Sequence, residues 1–284
     1  MKIGINGASG QLGTATVKYL LERTAGQHSV VAISRSPEKI MIESVEARFG
    51  DYDKPESLIE AYKGLDRLLL IPSTSLQSGA RSTQNIAAIN AAVEAGVSHI
   101  VLMSSAGARN AEQPNISYDY FASEQHLMRT ARQWSILRMS YYAEAIITEA
   151  QMSLAHGVLT GLSENRVSFV SRDDLAAAAA GLLVSDGHDG AIYTGTGPDS
   201  LTGAERAELI AKASGKPLAY LTLPLETLQG QLGQAGLPAE VVTAIVSIQQ
   251  NFSNGDFDIV TGDIEKLSGR PARTLESILS HSFQ

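Results

Sequence analysis

No cysteine occurs among the 284 residues, which excludes disulfide staples, a thiolate nucleophile and sulfur-ligated metal clusters together. That fits a reducing, cytoplasmic setting. Histidine is scarce and scattered: His28, His99, His126, His156, His188 and His281 show no paired ligand spacing, so no metal site is expected. There is no G-x-S-x-G elbow to carry a Ser–His–acid hydrolase. Basic charge is short as well, with 22 Lys and Arg against 30 Asp and Glu and a formal net charge of −8. Nucleic acid and anionic membrane surfaces both demand a broad basic face, so neither is expected as a partner. Long apolar runs are missing too. The longest, "LAAAAAGLLV" from Leu175 to Val184, is about half of the roughly 20 residues that span a bilayer and reads as a buried helix. "MKIGING" opens as a strand, without the charged region, apolar run and cleavage site of a leader.

What remains is an ordered chain, 44% apolar and 18% charged, with ample material for a core. Short β-branched runs at 2–6, 29–34, 45–50, 67–73, 99–105 and 134–139 alternate with helical spacing at 11–25, 55–63, 81–95 and 120–132. Several of these runs are almost continuously apolar, as strands are when helices cover both faces of a parallel sheet. The pattern predicts an α/β fold with a Rossmann-type doubly wound parallel sheet and a smaller, mainly helical C-terminal lobe. The expected division is residues 1–153 for the dinucleotide-binding domain and 154–284 for a substrate lobe. "GAIYTGTG" is expected to return a strand to the sheet, and Thr202 and Gly215 to cap a helix between them.

The stretch "GINGASGQLG" carries the chemistry. Gly7, Gly10 and Gly13 lie between the first strand and the first helix. Such a trio allows a tight turn, close approach of backbone to a pyrophosphate, and packing of helix on strand. The amides of Gln11, Leu12 and Gly13 at the helix start, backed by the helix dipole, bind phosphate, and Ser9 adds a hydroxyl. A glycine turn is a weak signal alone; at the N-terminal strand–turn–helix of a βαβ series it predicts a dinucleotide site. After the second strand, where an acid would hold the ribose 2′-OH of NAD, the chain reads "ISRSPEK". Arg35 there can fork onto a 2′-phosphate, so NADPH is favoured over NADH; a solvated surface arginine is the plainer alternative. Asp51 either accepts from the adenine amino group or caps its loop.

Taken in order, "INGASGQLG", "ISRSPEK", "GDYDKPESL" and "LLLIPS" resemble the NmrA-like atypical short-chain dehydrogenase family, in particular its branch of NADPH quinone and triphenylmethane reductases. The likeness continues through "AAVEAGVSHIVLMSS", "ILRMSYYAEA", "RDDLAAAAA" and "ASGKP" and so covers most of the chain. It implies a Rossmann domain, a small C-terminal lobe, and NADPH in the cleft between them. It also implies cofactor contacts from Ile71, Pro72 and Ser73, from Arg138, Met139, Ser140 and Tyr142, and from Arg172. Relatives often read Arg-Asn after the sixth strand; this chain reads Arg138-Met139 and lacks that amide.

The usual short-chain dehydrogenase chemistry needs a serine, a tyrosine and a lysine four residues beyond the tyrosine, which lowers the phenol pKa. Ser104 lies at the end of the fifth strand, where the serine belongs. Four residues after Tyr118 comes Ala122, and after Tyr120 comes Glu124, which is expected to pair with Arg129 or Arg138. A carboxylate raises a neighbouring phenol instead of lowering it. The expected substrate is therefore a small, conjugated, electron-poor acceptor such as a quinone, for which alignment against the nicotinamide does most of the work. Tyr118 and Tyr120 are candidates for positioning it, and with Tyr141 and Tyr142 for an aromatic wall; core packing is the alternative for each. A second functional reading stays open, a redox sensor that binds the dinucleotide without turnover. The sequence also leaves a homodimer open.

Overall fold

Strand-forming and helix-forming segments alternate along the first half, as their apolar periods dictate. The computed structural model describes residues 1–77, 79–112 and 115–283. In chain order the elements begin with β1 (Lys2–Asn6), α1 (Gln11–Thr24), β2 (Ser29–Ser34), β3 (Glu46–Phe49), α2 (Pro55–Tyr62) and β4 (Arg67–Leu70). They continue with α3 (Ala80–Glu94), β5 (His99–Ser105), α4 (Ile116–Thr130), β6 (Trp134–Met139), β7 (Tyr141–Tyr142), α5 (Ala143–Ser153) and β8 (Val158–Gly161). Next come β9 (Val167–Val170), α6 (Arg172–Val184), β10 (Ala191–Gly195), β11 (Ser200–Leu201), α7 (Gly203–Ser214) and β12 (Ala219–Thr222). The chain ends with α8 (Leu225–Gln234), α9 (Ala239–Ser253), α10 (Asp263–Ser268) and α11 (Leu275–Ser282).

Seven strands form one sheet in the order β10-β6-β5-β4-β1-β2-β3, every neighbouring pair parallel. The order reverses between β1 and β4, which opens a crevice beyond their carboxyl ends. Alternation decides which residue serves which face. Val31 and Ile33, Leu68 and Leu70, and Ile100 and Leu102 point one way and pack with Leu58, Ile89 and Leu127 from α2, α3 and α4. On the other face α1 packs on α6, and α6 on α10. Ten of the thirteen residues of α6 are buried, including the alanine run, so the longest apolar stretch is an interior helix. No helix among the described residues is long and apolar enough to cross a membrane.

The chain divides into two compact units. The first comprises Met1–Met139, Arg172–Gly195 and Asp263–Pro271, and the second Ser140–Ser171, Thr196–Gly262 and Ala272–Gln284. The expected boundary at 153 falls later than the observed one at 139. The reason is that the second half supplies more than a strand to the first unit: β10 extends the sheet, and α6 and α10 cover its face. Within the second unit, β7 and β11 flank β9, and β8 pairs with β12. Thr202 caps α7 through a reciprocal box with Glu205, and Gly215 ends it at φ 67°, as the sequence predicts. The core of this unit is aromatic: Tyr141 stands edge-on to Phe169, Phe252 and Phe257.

Candidate functional site

Because the strands of the first sheet all run in one direction, the segments that leave their carboxyl ends share one edge. Gly7 follows β1, Arg35 follows β2, Asp51 follows β3, and Ile71, Pro72 and Ser73 follow β4. Ser104 lies at the end of β5, and Arg138 and Met139 at the end of β6. The topology thus brings together candidates that are far apart in sequence. Ser140 and Tyr142 belong to the second unit, and Arg172 is the first residue of α6.

The turn after β1 is built for close backbone approach. Gly7 has φ +87°, where a side chain is strained, and a Cβ on it would stand 3.2 Å from that of Ile71. A Cβ on Gly13 would lie 2.2 Å from the Gly7 carbonyl oxygen and 2.7 Å from Ala8 Cα, so helix and turn can meet only through glycine. The Gly7 and Ala8 amides donate to the Ile33 carbonyl at 3.0 and 3.1 Å, fixing the turn to β2. Gly10 begins α1 with no side-chain cap, and its own amide donates to the Gly7 carbonyl at 3.1 Å. By helix geometry the amides of Gln11, Leu12 and Gly13 then have no carbonyl one turn back to bond. Gly10 and Gln11 are exposed. An open groove of about 560 Å³ runs past Ser9, Gln11, Thr14 and Lys18 as far as Asp173.

Ser9 ties this turn to the segment after β2. Its hydroxyl lies 2.7 Å from that of Ser34, which also accepts from the Ser36 amide at 3.0 Å. Arg35, held between those two serines, is exposed and has no ion-pair partner among the described residues. Asp51 accepts from the Asp53 amide at 3.1 Å, the loop-capping role. Tyr52 donates to the Ile71 carbonyl at 2.7 Å, and burial pushes its phenol well up. Ser73 bonds Gln84, whose amide donates to Asp53 at 2.6 Å.

A second cluster gathers on β5, α4 and β6. Glu124, wholly buried, accepts from Ser104 Oγ at 2.5 Å and from Arg138 Nε and Nη2 at 2.8 and 2.6 Å. Arg138 is thus the partner of Glu124, while Arg129 Nε donates to the Gln125 carbonyl. Ser104 and Arg138 are joined through one carboxylate. In the second unit, Ser140 is buried with its hydroxyl on Ser168, and Tyr141 is a core residue whose phenol burial pushes well up.

The tyrosines on α4 differ. Tyr118 is half-buried and packs near Phe121, while Tyr120 is buried and accepts a hydrogen bond from Arg81 Nη1 at 2.5 Å. Nothing in the sequence motifs points to Arg81. What signal there is lies in charge: Arg81 is the one cation of "ARSTQNIAAINAAVE", set among small, apolar and neutral polar residues with the acid Glu94 at the far end.

Residues 7–186 match the NAD(P)H-binding family. Quinone oxidoreductase 2 of Escherichia coli (strain K12) is 30% identical over 285 residues, 99% of this chain and 98% of that protein. The structure of an NADPH-dependent quinone oxidoreductase from Escherichia coli complexed with NADPH superposes with a TM-score of 0.91 at 30% identity, covering 99% of this chain and 100% of that one. Citrobacter sp. triphenylmethane reductase complexed with NADP(H) gives a TM-score of 0.90 at 28% identity, again covering 99% and 100%.

Proposed function

This chain belongs to the NAD(P)H-binding family, and from that premise we propose that it carries hydride from NADPH to a quinone or similar conjugated, electron-poor acceptor. It is an NAD(P)H-dependent oxidoreductase. The observation that carries the reading is the glycine turn: Gly7 at φ +87° and Gly13 against the Gly7 carbonyl leave room for no side chain. They set an uncapped helix start where a diphosphate needs donors.

The residues present fit the dinucleotide. The amides of Gln11, Leu12 and Gly13, with Gly7, Gly10 and the Ser9 hydroxyl, would hold the pyrophosphate. The exposed guanidinium of Arg35 would take the 2′-phosphate, and Asp51 the adenine side. Ile71, Pro72, Ser73, Ser104, Arg138, Met139 and Arg172, all of the first unit, would complete the cofactor contacts there. Among them Ser104 and Arg138 act as one unit through Glu124. When bound, NADPH supplies a hydride from its nicotinamide ring. The chain's part is to orient an acceptor already disposed to take it, which contributes several of the roughly 7–11 kcal/mol assigned to orientation. The two reductases described above, named for quinone and triphenylmethane substrates, support a flat conjugated acceptor. The same reading takes the protein as cytoplasmic; its net charge of −8 supports a small-molecule partner over nucleic acid or an anionic membrane.

The experiment is NADPH oxidation by purified protein with a panel of quinones and triphenylmethane dyes, paired with calorimetry for NADP⁺, NADPH and NADH. Turnover with at least one acceptor, and tighter binding of NADPH than of NADH, is the expected result. Equal affinity for the oxidised and reduced cofactor with no turnover would overturn it in favour of a redox sensor.

A further inference from the structure

Tyr120 and Glu124 stand one turn apart on α4, at the spacing where tyrosine and lysine cooperate in carbonyl reduction. Glu124 supplies no cation, and its carboxylate is already committed to Ser104 and Arg138. The cation reaches Tyr120 from a different helix. Arg81, in the first turn of α3 and only 6% exposed, donates from Nη1 to the phenol oxygen at 2.5 Å. Its Nη2 donates to the Ser75 carbonyl at 3.2 Å, and its guanidinium carbon lies 5.0 Å from the Tyr120 ring centroid.

Three features set this pair apart from a strut. Arg81 has no carboxylate within ion-pair distance among the described residues, so its charge is buried against a phenol. Its Nε is buried without a hydrogen-bond partner among the described residues, a cost of about 1–3 kcal/mol that an interior used only for packing would avoid. Because the phenol oxygen accepts from Arg81, its own O–H is left to donate, and no acceptor for it occurs among the described residues.

We propose that Arg81 is a positioning residue for proton delivery, acting through Tyr120, which gives its phenol proton to the acceptor once hydride has been added. This rests on the oxidoreductase reading above. With a quinone, hydride addition leaves an oxyanion. The Tyr120 O–H bond breaks and an O–H bond forms on that oxyanion. The phenolate is held against the guanidinium and takes a proton back from water. The sum is NADPH, quinone and one proton giving NADP⁺ and hydroquinone, with no further oxidant or reductant. Burial pushes the Tyr120 phenol up, Arg81 acts against that rise, and the neighbouring Asp119 carboxylate adds to it.

The test compares wild type with Tyr120→Phe, Arg81→Lys and Arg81→Gln by steady-state kinetics across pH and by NADPH calorimetry. Tyr120→Phe is expected to lower kcat on the order of 100-fold with NADPH affinity unchanged. Arg81→Gln is expected to lower kcat and to move the alkaline limb of the kcat profile upward, with Arg81→Lys restoring both in part. A Tyr120→Phe variant that keeps the wild-type kcat and pH profile would overturn the proposal while leaving the oxidoreductase reading intact. Should Arg81→Gln not fold, Tyr120→Phe and Arg81→Lys still decide. Wild type without turnover on any acceptor would overturn both.

Discussion

Glu124 grips Arg138 at two points, Oε1 to Nε at 2.8 Å and Oε2 to Nη2 at 2.6 Å, while Oε1 also takes the Ser104 hydroxyl. The carboxylate is inaccessible to water and the arginine side chain is 27% exposed, so the pair is desolvated mainly on one side. Removing one member of a buried pair leaves the other uncompensated, at about 3–5 kcal/mol. Glu124→Ala is therefore expected to lower stability by about 3 kcal/mol or more, measured as a shift of the urea midpoint at unchanged slope. Glu124→Gln keeps the shape and is expected to lose less.

Gly13→Ala places a methyl group 2.2 Å from the Gly7 oxygen and 2.7 Å from Ala8 Cα, both backbone atoms that cannot rotate away. The turn must shift for α1 to stay packed. We expect dinucleotide affinity to fall at least tenfold by calorimetry, with far-ultraviolet circular dichroism little changed. An alanine variant that binds like wild type would show that the turn's geometry is not what holds the phosphates.

Arg35 is exposed between two serines that fix its backbone, so replacing it disturbs a ligand contact and not the core. A charge-assisted contact to a 2′-phosphate is worth about 1.5–3 kcal/mol. Arg35→Ser is thus expected to weaken NADPH binding roughly 10- to 100-fold and to leave NADH binding within a factor of about two. Equal losses for both cofactors would refute selection by this side chain.

Glu149 on α5 faces Arg206, Tyr141 and Tyr220, and burial raises its carboxyl from an ordinary 4.5 to about 7. Between those values the folded chain keeps a proton that the unfolded chain has released. Stability conferred at low pH is therefore lost as pH rises through this window, and the loss is complete above about 7. Glu149→Gln removes the titrating group. It is expected to raise stability at pH 8 by up to about 3 kcal/mol and to change little at pH 4.5, read from thermal melts at the two pH values.

Much of the first unit is legible in the chain because its signals are local. Alternating periods place all six leading strands to within a few residues, the glycine trio marks the turn, and Thr202 and Gly215 bound their helix. The division between units is less so. Residues 172–195 and 263–271 return to the first unit, and nothing in their own composition says which surface they will cover. Similarly, Arg129 and Arg138 are equal candidates for Glu124 by sequence; only the pairing of β5 with β6 puts Arg138 within reach.

By itself the sequence determined that this chain alternates strand and helix, that a backbone turn of glycines follows its first strand, and that a guanidinium follows its second. Those properties depend on residues within a few positions of each other, where covalent geometry and side-chain size are decisive. The tertiary structure alone decided that Tyr120 meets Arg81, 39 residues away, and that Ser104 and Arg138 share one carboxylate. Such contacts are set by the order of strands in the sheet and by which helix covers which face, and these follow from the packing of the whole chain.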